Sequence, residues 1–170
     1  KDYFKKRQTN EKLKNQRYKQ YKLDKNFLLK NITNHRKILD IGGGGGEFLS
    51  CFSNKFQKYL LEISIDAANN AKKKFKINTI VGNIYNIKII KKFDIIIMRG
   101  VLEHFSDPKK ALFKSLNLLK NGGLLYITAT PNINSICAQI YKENWRLFNP
   151  LDHLYYFDLK MIEKLLLKKA

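Results

Sequence analysis

Residues Lys37–Leu49 read KILDIGGGGGEFL, an apolar run that ends in five consecutive glycines, Gly42 to Gly46. Glycine loses more conformational freedom on folding than any other residue, so five in succession mean backbone that turns tightly or is approached closely. A phosphate, a dinucleotide or a nucleoside cofactor would each use such a place. The surrounding pattern decides among them.

Outward from this stretch, short apolar runs alternate with longer amphipathic ones. Ile38 to Ile41, Tyr59 to Ile63, Thr79 to Val81, Phe93 to Met98 and Leu124 to Ala129 are brief and rich in Ile, Leu and Val, as buried parallel strands are. Between them, Gly46 to Asn54, Asp66 to Phe75 and Pro108 to Lys120 have helical spacing. Asp107 is placed to cap the last of these, with Pro108 in its first turn and Gly122 or Gly123 to end it. The segment Asn83 to Lys92 is too short and β-branched to predict a helix. Strand and helix alternating in this way predict right-handed βαβ units. The expected fold is α/β, a three-layer, doubly wound, mostly parallel Rossmann-like sheet. Ligands of such sheets bind beyond the carboxyl ends of the strands, where strand order reverses. The glycines stand at the carboxyl end of the first strand.

Their spacing then eliminates candidates. No glycine is followed by lysine, so the G-x-x-x-x-G-K-[ST] phosphate loop is excluded. A dinucleotide fingerprint, G-x-G-x-x-G, would need glycine where Glu47, Phe48 or Leu49 stands. What remains is Asp40-Ile41-Gly42-x-Gly44-x-Gly46. That pattern resembles the first motif of class I S-adenosylmethionine-dependent methyltransferases.

The resemblance extends over residues 37–130. Glu62-Ile63-Ser64 is similar to the acidic segment that holds the ribose hydroxyls in that family, and one carboxylate can accept from both hydroxyls of a diol. Gly82-Asn83 stands where the family has G-D, whose side chain accepts from the adenine amino group; asparagine replaces aspartate here. Residues 93–104, FDIIIMRGVLEH, followed by Asp107-Pro108, look like the fourth-strand block, and LKNGG at 119–123 like the family's LKPGG turn. The resemblance implies S-adenosylmethionine as cofactor, with Asp40, Gly42, Gly44, Gly46, Glu62, Ile63, Asn83, Ile84 and Arg99 as its contacts. Asp40 is expected to orient the glycine loop and the methionine end of the cofactor.

Further on, TPNINS at 130–135, Trp145 and HLYYF at 153–157 resemble a bacterial small-molecule subgroup related to ubiquinone-pathway and surface-saccharide methyltransferases. This implies a small-molecule substrate met by Asn132, Trp145, His153 and Tyr156. His153 and His104 are the candidate catalytic bases, and each has a packing or capping role as its alternative. The family sheet ends in an antiparallel strand pair after a helix such as Leu159 to Lys169, so the sequence, which stops at Ala170 and does not begin with Met, is expected to represent a truncated fold.

Composition sets the remaining limits. The net charge is +19, but lysine supplies 28 of the 33 basic residues and arginine five. With isoleucine and asparagine abundant, that profile looks like AT-rich coding rather than a phosphate-reading surface, since arginine is the residue suited to bidentate contacts. A nucleic-acid partner is accordingly not expected, and an RNA methyltransferase or a non-catalytic cofactor-binding protein are the alternatives. Residues 1–37 hold 13 basic and 3 acidic side chains. That end is read as a basic helical lead-in, residues 1–36, with a weak helical pattern over 9–33, ahead of a cofactor-binding domain at 37–170. No apolar run approaches the roughly 18 residues of a membrane span and no signal-peptide pattern is visible, so a cytoplasmic location is expected. Cys51 and Cys137 give no disulfide framework, and with three scattered histidines no metal-ligand spacing appears.

Overall fold

A computed structural model describes residues 11–33 and 36–167. Helix α1 (Glu11–Lys30) precedes β1 (Lys37–Ile41), α2 (Glu47–Ser50), β2 (Gln57–Glu62), α3 (Ile65–Phe75) and β3 (Asn78–Val81). Then come β4 (Phe93–Arg99), a 3₁₀ turn (Leu102–His104), α4 (Pro108–Leu118), β5 (Leu119–Thr128), α5 (Ile136–Tyr141), a second 3₁₀ turn (Lys142–Asn144) and α6 (Leu159–Leu167). The five strands form one sheet in the order β3-β2-β1-β4-β5, every pair parallel. The order reverses between β1 and β4, which places the glycine loop at the switch point.

Strand alternation builds two core layers. Ile38, Leu60, Ile95 and Ile97 pack on one face with Leu28 of α1, Phe48 and Leu49 of α2 and Ala71 of α3. Leu39, Ile41, Leu61, Ile96 and Met98 pack on the other with Ala111 and Leu112 of α4, Phe157 and, partly buried, Ile162 of α6. Because side chains alternate along a strand, Asp40 and Arg99 share the parity of Ile38 and Ile97. Both therefore belong to the face that α1 and α2 cover. At the other end of the same strands, Asp94 accepts from the backbone N–H groups of Arg36 and Lys37 at 3.0 and 2.8 Å and pairs with Lys120 at 2.7 Å.

Three sequence expectations need correction. The first crossover helix is one short turn, Glu47–Ser50, rather than Gly46 to Asn54. The Ser50 hydroxyl bonds back to the Glu47 carbonyl at 2.7 Å, and Phe56 N–H bonds to the Ser53 carbonyl, so local polar groups take over from the helix. Second, Gly122 and Gly123 do not terminate α4. Its cap, Leu119, is already extended (φ −75°, ψ 147°), and β5 begins there rather than at Leu124. The glycines lie in a bulge of that strand: Phe93 pairs with Leu119 but Ile95 with Leu124. Third, β2 ends at Glu62, so Ile63 lies beyond the strand. The Asp107 cap is observed, its Oδ1 accepting from Lys110 N–H at 2.9 Å. The expected lead-in helix is α1, although residues 9 and 10 and the rest of the basic N-terminal segment lie outside the described residues, as do Lys168 and Lys169 of the last expected helix.

Candidate active site

The loop after β1 is shaped by backbone that side chains could not occupy. A Cβ built at Gly42, whose φ is +69°, would overlap the Val101 side chain, and one at Gly43 would overlap the Asp40 carboxylate. Gly42 N–H remains bonded to the Leu61 carbonyl at 2.8 Å, and Gly46 N–H turns back to the Gly43 carbonyl at 3.1 Å. The turn thus wraps over the ends of β1 and β2 and opens into α2.

Glu62 ties the two crossovers together. One carboxylate oxygen accepts from Gly44 N–H at 2.9 Å and the other from Ser64 N–H at 2.9 Å. Each oxygen keeps further acceptor capacity. Ile63 beside it is an apolar side chain 69% exposed, whereas Ile84 is buried in the core with Leu61 and Met98. Asn83 Oδ1 accepts from Tyr85 N–H at 3.0 Å, which makes it the organiser of the turn after β3.

Asp40 is the unusual group. Its side chain is buried, and neither carboxylate oxygen has a hydrogen-bond partner among the described residues. Burial pushes its pKa up to about 8; the Arg99 guanidinium opposes that rise and the Glu62 charge adds to it. Arg99 is held elsewhere. Its Nε donates to Asp24 Oδ2 of α1 at 2.9 Å, and its guanidinium lies 4.7 Å from the Tyr21 ring centroid and 5.6 Å from that of Phe48. A buried carboxylate without a partner, next to bare backbone, fits a ligand that brings a cation or donors. The amino acid end of S-adenosylmethionine has an ammonium, and its ribose diol matches the remaining acceptor capacity of Glu62.

On the far side of β4 the 3₁₀ turn presents Glu103 and His104 to the segment 147–156. The His104 and His153 rings are 5.0 Å apart, and His153 lies 5.8 Å from the Tyr156 ring. Tyr156 stacks on Phe148, and its hydroxyl accepts from Asn149 N–H at 2.7 Å. Of the expected substrate residues, His153 and Tyr156 are therefore brought together with His104. Trp145 is buried, and Asn132 organises its own loop through Asn134 N–H and a bridge to Phe157. Glu103 went unnoticed in the sequence although a glutamate inside VLEH, flanked by Val101 and Leu102, is the signal for it. Asp24 carried no signal at all.

Comparison with known proteins agrees with this architecture. The methyltransferase domain family model matches residues 13–170. The chain is 36% identical over 106 residues to the ubiquinone biosynthesis O-methyltransferase of Pelagibacter ubique, covering 58% of this chain and 42% of that one. It is 30% identical over 104 residues to the ubiquinone/menaquinone biosynthesis C-methyltransferase UbiE of Vibrio parahaemolyticus, covering 54% and 40%. The chain thus spans about two fifths of the length of these relatives. Among solved structures, the plantazolicin methyltransferase BpumL, in complex with a pentazolic desmethylPZN analog and SAH, matches with a TM-score of 0.67 at 26% identity over 86% of this chain and 60% of that one. The motifs, the sheet order, the glycine loop at the switch point and these matches agree, and the chain belongs to the methyltransferase domain family, among the class I S-adenosylmethionine-dependent methyltransferases.

Proposed function

We propose that this domain binds S-adenosylmethionine at the carboxyl ends of β1, β2 and β4 and takes part in methyl transfer to a small-molecule acceptor. The observation that carries the reading is the pair of carboxylates on either side of the glycine turn, one unpartnered and buried, the other holding Gly44 and Ser64. Asp40 would hold the cofactor's ammonium, Gly42, Gly44 and Gly46 would supply the bare backbone, and Glu62 would accept from the ribose. Ile63 and Asn83 would serve the nucleoside end, with Ile84 supporting that end from the core. Arg99 acts from behind, through its charge on Asp40.

The cofactor supplies an already activated sulfonium methyl for in-line displacement. The chain's own task is then to align the acceptor and exclude water; such alignment can be worth an effective concentration of about 10⁵ M or more. His104, His153 and Tyr156 line the acceptor side. Each imidazole has its Nδ1 against a backbone carbonyl, Asp152 at 2.7 Å and Leu147 at 3.0 Å. A carbonyl only accepts, so Nδ1 carries a proton, and in the neutral ring the lone pair is then on Nε2. Where the acceptor is a hydroxyl, that lone pair takes its proton. Quinone-like hydroxyls are the favoured acceptor class, since one similar protein is named a ubiquinone biosynthesis O-methyltransferase; saccharide hydroxyls are the second class to screen. An RNA acceptor is less well supported, because Arg99 is engaged with Asp24, Tyr21 and Phe48.

Calorimetry with S-adenosylmethionine and its demethylated product tests the cofactor half: micromolar binding is expected, and at least a tenfold loss in Glu62→Ala. A labelled-methyl screen against phenolic, saccharide and amine acceptors tests the other half. Folded protein with no affinity for either nucleoside overturns the proposal.

A further inference from the structure

Two histidines and a buried glutamate meet beside the acceptor side in a way that methyl transfer does not require. Glu103 on the 3₁₀ turn is 2% exposed, and its Oε2 has no hydrogen-bond partner among the described residues. A buried carboxyl oxygen without a partner is costly to keep. Its neighbours do not relieve it by hydrogen bonding: His104 Nε2 stands 4.0 Å from Glu103 Oε1. One ligand atom from each of Glu103, His104 and His153 lies within 4.8 Å of the other two. The segment that brings in His153 is fixed to the same turn, since Leu154 N–H donates to the Glu103 carbonyl at 2.9 Å.

The tautomers complete the pattern. Both Nδ1 atoms are committed to backbone carbonyls, of Asp152 and of Leu147. Metal-binding histidines are commonly held in this way, the second nitrogen donating to a carbonyl or carboxylate so that the ligating nitrogen is fixed and made more basic. We propose that Glu103, His104 and His153 form a binding site for a divalent transition-metal ion, with at least one coordination position left for water or an acceptor oxygen. The donor set selects the ion. Two imidazoles with one carboxylate suit zinc or ferrous iron, whereas magnesium and calcium prefer oxygen donors alone. Ligands about 2.1 Å from an ion stand about 3 to 3.5 Å from one another, so the 4.0 Å contact closes by about 0.5 to 1 Å and a pair at the 4.8 Å limit by up to about 1.8 Å, a change that side-chain rotations make.

With an ion bound, both Nε2 lone pairs are committed, and a hydroxyl acceptor would be acidified by the ion rather than by imidazole. Metal loading therefore also separates two ways in which the same residues act.

The test uses chelator-treated protein titrated with Co²⁺, followed by visible absorption, and with Zn²⁺ in competition. Expected are one ion per chain, displacement of cobalt by zinc, and at least a tenfold weaker affinity in each of His153→Ala, His104→Ala and Glu103→Gln. The exposed cysteine variant Cys137→Ser is expected to titrate like the parent. Far-UV circular dichroism identifies variants that remain folded, and His153→Ala, on a partly exposed loop, is the variant on which the decision rests. No cobalt spectrum at millimolar metal, or an affinity unchanged in folded His153→Ala, overturns the site. Calorimetry with the demethylated cofactor on the same sample keeps the two proposals apart: metal binding without nucleoside binding rejects the methyltransferase reading alone, and the reverse rejects the metal site alone.

Discussion

Replacing Asp40 with asparagine should make the ligand-free protein more stable at neutral pH while weakening its hold on cofactor. Burial raises the Asp40 pKa from the usual 3.8 to about 8, partly countered by Arg99 and reinforced by Glu62. The unfolded chain loses this proton near pH 4, whereas the folded chain keeps it until about pH 8. Between those values the native state binds one more proton than the unfolded state, so stability falls as pH rises through the window. Each unit is worth about 1.4 kcal/mol, which makes the loss roughly 4 kcal/mol at pH 7 and about 6 kcal/mol above pH 8. That is a large part of the 5–15 kcal/mol typical of a domain. Asparagine keeps the shape and has nothing to ionise. Urea unfolding at pH 6, 7 and 8 is the assay, and the histidines common to both proteins cancel in the difference. The expected result is a variant whose advantage grows by about 1 kcal/mol per pH unit without ligand. Saturating demethylated cofactor, whose ammonium favours the ionised carboxylate, should flatten the parent's slope. Equal loss of stability by parent and variant between pH 6 and 8 would refute the reasoning.

Other perturbations probe the frame around that carboxylate. Gly43→Ala forces a methyl group onto Asp40 and Leu60 Cδ1, so it should cost about 1–3 kcal/mol in urea unfolding and also weaken nucleoside binding in calorimetry. Asp24→Asn and Arg99→Met, combined in a double-mutant cycle, should show a coupling of about 1–3 kcal/mol, because the pair is mostly buried; additivity within 0.3 kcal/mol would deny it. Asp94 is pushed up by partial burial, but bonds from Lys120 and from the Arg36 and Lys37 N–H groups outweigh this and hold it down at about 2. Its contribution is present above pH 4 and lost as pH falls through about 2, so the destabilisation of Asp94→Asn at pH 7 should disappear in acid, as read from thermal midpoints across that range.

Much of the frame was legible because it rests on local rules. Short runs rich in Ile, Leu and Val at regular spacing read as strands, and Asp107-Pro108 is a helix start on local chemistry alone. Glycine spacing by itself excludes the phosphate loop and the dinucleotide site. What escaped depends on the partner strand or on distance along the chain. LKNGG at 119–123 looks like a helix end, and only its register with β4 turns it into a strand bulge. The short α2 turn was hidden in the same way, since Ser50 looks helical until its hydroxyl finds Glu47. The positions of Asp40 and Glu62 near the carboxyl ends of β1 and β2 were readable from the strand pattern. The meeting of His104 with His153 was not, because 48 residues of chain separate His104 from Asp152, the neighbour of His153 whose carbonyl it meets.

The fate of Arg99 explains why the buried carboxylate of Asp40 is left unpartnered. Strand parity puts both residues on the face covered by α1, so an ion pair between them would be the economical arrangement. Instead Asp24 takes the Nε of Arg99, and the rings of Tyr21 and Phe48 take its guanidinium face. Asp24 and Tyr21 lie three residues apart on α1, close enough to act on one group together. Arg99 is thereby held within electrostatic reach of Asp40 without neutralising it. An Asp40–Arg99 pair would put a bond where the proposed cofactor contact stands, one that the cofactor would have to break. The Asp24–Arg99 pair leaves the Asp40 carboxyl unengaged, at a cost in stability that the Asp40→Asn experiment measures.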